Sequence, residues 1–240
     1  MSIAEKFEII ADAVYEKGKK DVYDAFWDGF QNNGNRTSYK YAFAGAGWTA
    51  ETLKPKYEII FPTESSATYP RNCAGMFAYL NISKNMTNGE DTMFDMSELL
   101  SKIDFSNCKS AQNLFQNARV QNITCDFSNC LKLDRTFDGS DGGQFENITI
   151  KVTEKCTSYS AAFNYCKAAE IHFTNDSIIA ATISFAQDQS LSETSIASII
   201  QALETTSTTK TLTLHADALA KVTDEQKATI ATKGWTLSQA

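Results

Sequence analysis

Along the first 34 residues the apolar positions follow a helical interval. Ile3, Phe7, Ile10 and Val14 are four, three and four residues apart, which keeps them on one stripe of a helix. Ser2 and Glu5 open this stretch as a capping box, in which each side chain serves the other residue's backbone N–H. The stripe lapses at Gly18, Lys19 and Lys20, resumes with Tyr23, Phe26, Trp27 and Phe30, and meets a stop in Asn32, Asn33 and Gly34. Residues 1–34 are therefore expected to be a helical region in two pieces. Its first stripe either packs on the rest of the chain or, with Ile3, Phe7, Ile10 and Val14 as the contact set, joins copies of itself in a homo-oligomer such as a trimer.

Beyond residue 100 the apolar interval changes from helical to alternating. Ile103 and Phe105, then Ile123, Cys125 and Phe127, then Ile148, Ile150 and Val152, then Ile171 and Phe173 each read as a strand with one buried face. Each strand is followed by an anchor, Phe115, Phe137, Phe163 or Phe185, and seven residues before these stand Cys108, Cys130, Cys156 and Ile178. Thus DFSNCKSAQNLF, residues 104–115, returns as DFSNCLKLDRTF at 126–137. The one long spacing contains GSDGG, residues 139–143, expected to be a solvated insertion in a loop. A unit of one short strand and an irregular return cannot bury its apolar face alone and must stack on its neighbours.

The expected fold class is therefore an α/β repeat: a leucine-rich-repeat-like solenoid at 101–190, preceded by the N-terminal helical region and followed by a C-terminal repeat and capping unit at 191–240. Residues 35–100 carry SYKYAFAGAGW and CAGMFAYLNIS on either side of the strand-like KYEIIF, and read as degenerate repeats or an N-terminal cap. KNMTNGEDTMFDMSELL reads as an insertion ending in a short helix. In the last segment Ser192 or a neighbour caps a helix with Ile196, Ile199, Ile200 and Leu203 on one face, and TLTLH at 211–215 is a strand. Thr223 with Gln226 opens a further helix that Gly234 stops before a closing strand at 235–237.

Charge narrows the partners. The net charge of -7 argues against nucleic acid, which needs a basic surface for counterion release. No apolar run approaches the length of a membrane span, so no membrane insertion is expected. The N-terminus lacks a charged start, an apolar run and a cleavage site, which places synthesis in a cytoplasm. The six cysteines include no C-x-x-C pair and have two histidines for company, so the expectation is buried free thiols that pack, with no metal site and no cofactor.

The units DFSNCKSAQNLFQNARVQNITCDFSNC and CTSYSAAFNYCKAAEIHF resemble the BspA-type, or treponemal-type, leucine-rich repeats, whose signature Ala162, Phe163 and Cys166 match. The resemblance covers roughly residues 100–215 and implies a repeat fold. YDAFWDGFQNNGNRTSYKYAFAGAGW and the closing LTLHADALAKVTDEQKATIATKGWTL are similar to proteins encoded near tail genes in phages and prophages of gut Firmicutes. That likeness implies a phage-encoded protein made in a bacterial cytoplasm and carried in a virion, acting in receptor binding or adhesion.

If the apolar strand residues point inward, their neighbours point out. Asp104, Thr124, Asp126, Thr149, Lys151, His172, Thr174, Thr213 and His215 are thereby nominated as one outward strand face that binds a protein or a cell-surface glycan. No spacing nominates a catalytic set, so the chain is read as non-enzymatic. An intracellular inhibitor of a bacterial defence or host protein would use the same face, and a glycan hydrolase would need two carboxylates on it.

Overall fold

The computed structural model describes residues 59–60, 73–80, 93 and 95–240. The helical region at 1–34, its stripe of Ile3, Phe7, Ile10 and Val14, and the SYKYAFAGAGW segment lie outside the described residues.

Among the described residues there are three small sheets, all with parallel strands and none closed on itself. β1 (Ile59–Ile60) pairs with β2 (Ile103–Asp104), and the short helix α1 (Ser97–Leu100) ends the segment before β2. β3 (Arg119–Asp126), β4 (Gln144–Lys151) and β5 (Glu170–Phe173) form the second sheet, and β6 (Ile183–Phe185), β7 (Lys210–Leu214) and β8 (Trp235–Gln239) the third. Three helices accompany the last sheet: α2 (Glu193–Ala202), α3 (Ala216–Leu219) and α4 (Asp224–Thr232).

The strands obey the alternation read from the sequence, with one shared departure. In β3, Val120, Ile123 and Cys125 are buried, and in β4, Phe145, Ile148 and Ile150. Two successive residues point away from the core in each, Gln121 and Asn122 beside Glu146 and Asn147. Because both strands bend at the same level, Ile123 still faces Ile148 and Cys125 faces Ile150, so neither slips its apolar face into solvent.

The return segments are neither helix nor strand. Every second N–H reaches sideways to the next row: Phe77 N donates to Leu114 O (2.8 Å), Phe115 N to Thr136 O (2.9 Å) and Phe137 N to Ala162 O (2.8 Å). The intervening N–H groups turn back on their own row, as Leu114 N does to Ala111 O (3.1 Å) and Thr136 N to Leu133 O (3.1 Å). Such a ribbon needs a left-handed residue between right-handed ones. Gly75, Asn113, Arg135 and Ala161 supply it at the same level of successive rows, with φ of 63°, 58°, 54° and 52°. Residues 73–80 thus form the first described row, with Phe77 as its anchor.

The anchors stack in a column. Ring centroids run Phe77–Phe115 5.4 Å, Phe115–Phe137 5.7 Å, Phe137–Phe163 5.3 Å and Phe163–Phe185 4.7 Å. All five rings are fully buried, and burying a phenylalanine contributes on the order of 2–3 kcal/mol.

The β3–β4–β5 sheet ends where α2 packs on β5. Ser192 Oγ caps this helix by accepting from Ser195 N (3.0 Å). The helix in turn presents Ser195 Oγ to Ile171 N (2.9 Å) and Ser198 Oγ to Phe173 N (2.8 Å). These two hydroxyls take the bonds that a further strand would have taken. At the other end of α2, Lys233 Nζ donates to Ile200 O (3.0 Å), Gln201 O (2.7 Å) and Leu203 O (2.6 Å), which satisfies the final carbonyls from 30 to 33 residues away. α4 has the capping box of Thr223 and Gln226, and Gly234 leaves it at φ 83° with Thr206 O too close to admit a side chain.

Two expectations change. Counting back from Phe185 nominates Ile178 for the cysteine position, yet Ile178 is exposed. The turn bond that marks Cys108, Cys130 and Cys156, each donating its N–H to the residue three before, is made in the next unit by Ser177 to Thr174 O (2.8 Å). The return before Phe185 is one residue longer because it is becoming strand β6. The GSDGG loop is also less solvated than expected. Its two ends, Gly139 and Gly143, are buried, Gly143 wedged against the Asn117 backbone; the preceding Asp138 is buried too and accepts from Ser140 N (3.0 Å), leaving Ser140, Asp141 and Gly142 exposed.

Candidate functional site

The parallel register of β3, β4 and β5 sets the outward side chains in rows. Thr124 faces Thr149, which faces His172; Asp126 faces Lys151; Asn122 faces Asn147, which faces Glu170. Six nominated residues, Thr124, Asp126, Thr149, Lys151, His172 and Thr174, therefore gather on or beside one sheet. The other three do not join them. Asp104 belongs to β2, Thr213 to β7, and His215 follows β7 as the N-cap of α3, where its Nδ1 accepts from Asp217 N (3.2 Å). For Thr213 and His215 the break comes from α2, which ends the second sheet at β5; Asp104 lies on the opposite side, in β2, which pairs with β1.

The two aspartates that open the repeated DFSNC blocks are committed to their own turns. Asp104 Oδ1 accepts from Ser106 N (2.8 Å), and Asp126 Oδ1 accepts from Ser128 N (2.8 Å) and from the Ser128 hydroxyl. Lys151 pairs with Asp176 (2.5 Å), so each of these charges favours the other: the hydrogen bond raises the lysine's pKa and lowers the aspartate's.

Glu170 is the most heavily bonded group of the face. Partial burial pushes its carboxyl up, but Ser192 Oγ (2.6 Å), Ser195 Oγ (2.9 Å) and Thr194 Oγ1 (3.0 Å) all donate to Oε2, and His172 Nε2 stands 3.2 Å from the same oxygen. The net effect holds Glu170 below the usual carboxylate range. An ionised, hydrogen-bonded carboxylate fixes the His172 ring and serves poorly as a general acid.

Sequence reasoning omits Asn122, Asn147, Glu170 and Asp176. The signal for the first three is the same alternation, two residues before Thr124, Thr149 and His172. Asn147 Nδ2 donates to Asn122 Oδ1 (3.0 Å), and Asn122 Nδ2 to Asp95 Oδ1 (3.3 Å), so an amide ladder runs along this edge of the face.

Behind the face lie the thiols. Burial pushes Cys130 up to about 12 and Cys156 to about 11, with Cys125 and Cys166 also well above the ordinary value. Protonated and buried, these four pack and do not react. Cys73 and Cys108 depart from the expectation of free thiols: they occupy adjacent rows with Cα atoms 6.6 Å apart, within disulfide reach, and are joined.

Among the described residues no group of three or more side chains could hold a metal ion, and no helix is long and apolar enough to cross a membrane. A shallow cavity of about 550 Å³ between α3, α4 and β8, lined by Ala216, Leu219, Ala220, Lys227, Leu237 and Gln239, contains none of the nominated residues. The chain matches no protein-family model, no curated protein and no solved structure.

Proposed function

We propose that the chain is a non-enzymatic binding module of leucine-rich-repeat type, phage-encoded and virion-associated, whose β3–β4–β5 face engages a protein or cell-surface glycan in receptor binding or adhesion. The observation that supports this reading is the common register that aligns Thr124, Thr149 and His172 in one row, with Lys151 beside them and Glu170 fixing the histidine. Rows of short polar side chains on a rigid strand scaffold suit recognition, because little side-chain entropy is lost on contact. The phage and virion part of the reading rests on the resemblance of the two end segments.

The test is a double variant, Lys151→Glu with His172→Ala, which should keep its unfolding midpoint within a few degrees and lose adsorption of particles to host cells. Asp126 is left intact because its carboxylate holds a turn. Unchanged adsorption would remove this face from the reading. Recovery of the chain with a soluble host protein, and its absence from purified particles, would instead make it an intracellular inhibitor.

A further inference from the structure

A second surface carries a different chemistry. Tyr79 and Tyr165 are among the few large apolar side chains left exposed in the described residues, at 42% and 43%. They also share a level of the return ribbon. Tyr79 N donates to Gln116 O (2.7 Å), Asn117 N to Asp138 O (2.7 Å) and Gly139 N to Asn164 O (2.8 Å), which sets Tyr79, Asn117, Gly139 and Tyr165 in register across four rows.

At this level the backbone is left-handed at Tyr79 (φ 60°), Asn117 (φ 56°) and Tyr165 (φ 49°). Asparagine adopts that conformation readily, whereas a bulky tyrosine does so under strain. Each tyrosine thus combines a strained backbone with an exposed ring, at a level where Asn117 takes the same conformation readily. Local rules broken twice at one level, without a packing return, point to selection for contact with something else.

What lies between the rings says what that is. Asn117 holds the Ser140–Gly142 loop tip in place, its Oδ1 accepting from Asp141 N (2.8 Å) and its Nδ2 donating to Asp141 Oδ2 (3.3 Å). The tip presents a hydroxyl, a carboxylate and backbone groups between two aromatic rings three rows apart, roughly 15 Å at the usual row spacing. A pyranose chain has the matching alternation of C–H faces, which stack on the negative face of an aromatic ring, and hydroxyl edges, which bond to polar groups. A nucleic acid would meet the Asp141 carboxylate and a chain of net charge -7. A protein interface of stable size would place apolar contact at its centre, where this surface is polar.

We propose that Tyr79 and Tyr165, with the Ser140–Gly142 tip between them, form a binding site for a neutral linear oligosaccharide. The site shares no residue with the strand face and stands or falls separately from it. Titration calorimetry of the full chain with cellotetraose, chitotetraose, maltotetraose and mannotetraose should give saturable binding to at least one. Tyr165→Ala should weaken that binding about tenfold, the equivalent of one stacked ring, and Tyr165→Trp should retain it. Tyr165→Gly should weaken binding to the same extent while raising the unfolding temperature, because glycine relieves the left-handed backbone. No saturable binding of any of the four sugars, binding unchanged in Tyr165→Ala, or a lowered unfolding temperature in Tyr165→Gly would overturn the proposal.

Discussion

The rows before Asp188 and those after it solve one problem in two ways. Both run a short strand parallel to its neighbour and then bring the chain back. Before Asp188 the return is the ribbon, whose N–H groups reach the next row at Phe77, Phe115 and Phe137; after it the return is a helix, α2 or α4, whose backbone bonds stay mostly within the element. A helical return is nearly complete by itself. A ribbon return holds only while its neighbour is in place, so stability there is a property of pairs of rows.

Removing an anchor should expose this difference most strongly. Phe137→Ala takes out the ring stacked between Phe115 and Phe163 and touching Phe145 edge-on at 5.9 Å, and urea titration should show a loss of about 3–5 kcal/mol. Hydrogen exchange should then rise in the two flanking ribbon rows and stay unchanged in α4.

The next effect belongs to the junction. Asp188 is buried there, with Oδ1 accepting from Ser190 N (3.0 Å) and Oδ2 without a hydrogen-bond partner. Burial raises its pKa from 3.8 to about 6, opposed by the Ser190 and Ala168 N–H groups and by His215 and Lys221. A carboxyl whose folded pKa is raised holds its proton more tightly in the folded state. Its share of stability is present below about pH 4, falls between about 4 and 6, and is absent above. Asp188→Asn should therefore be more stable than the parent by on the order of 3 kcal/mol at pH 7, and the two should converge as pH falls to 4. A constant gap across that range would contradict this account.

On the helical side, Lys233→Met removes three bonds to the last turn of α2 and should cost about 1–2 kcal/mol by thermal unfolding, with fraying confined to Ile200–Leu203. The smallest effect returns to the ribbon. Ala161→Gly, at φ 52°, should stabilise by less than about 1 kcal/mol, since relief of the left-handed strain is partly offset by the freer unfolded chain. The same change at Ala231, inside α4, should destabilise by a similar amount.

These contrasts also explain what the chain discloses about itself. The helical returns are written in local signals, because Ser192, Thr223, Gln226 and Gly234 act on residues three or four positions away. The strands and the Phe column are legible from alternation and repetition. The ribbon is not, because Arg135 and Ala161 give no sign of a left-handed backbone, and the N–H of Arg135 reaches Ser160 O, 25 positions on in the chain. The limits of the strand face are hidden for a related reason: Ser195 and Ser198 read as ordinary helix positions, and nothing near them in sequence shows that they meet Ile171 and Phe173. His215 likewise reads as an outward strand residue until the helix it caps is seen.

Those two serine hydroxyls have a consequence for colloidal behaviour. A sheet whose last strand keeps bare donors is adhesive, and its edge recruits whatever extended chain comes near. By closing β5, Ser195 and Ser198 set the width of the second sheet and take up Ile171 N and Phe173 N, the donors with which that border would recruit an extended chain.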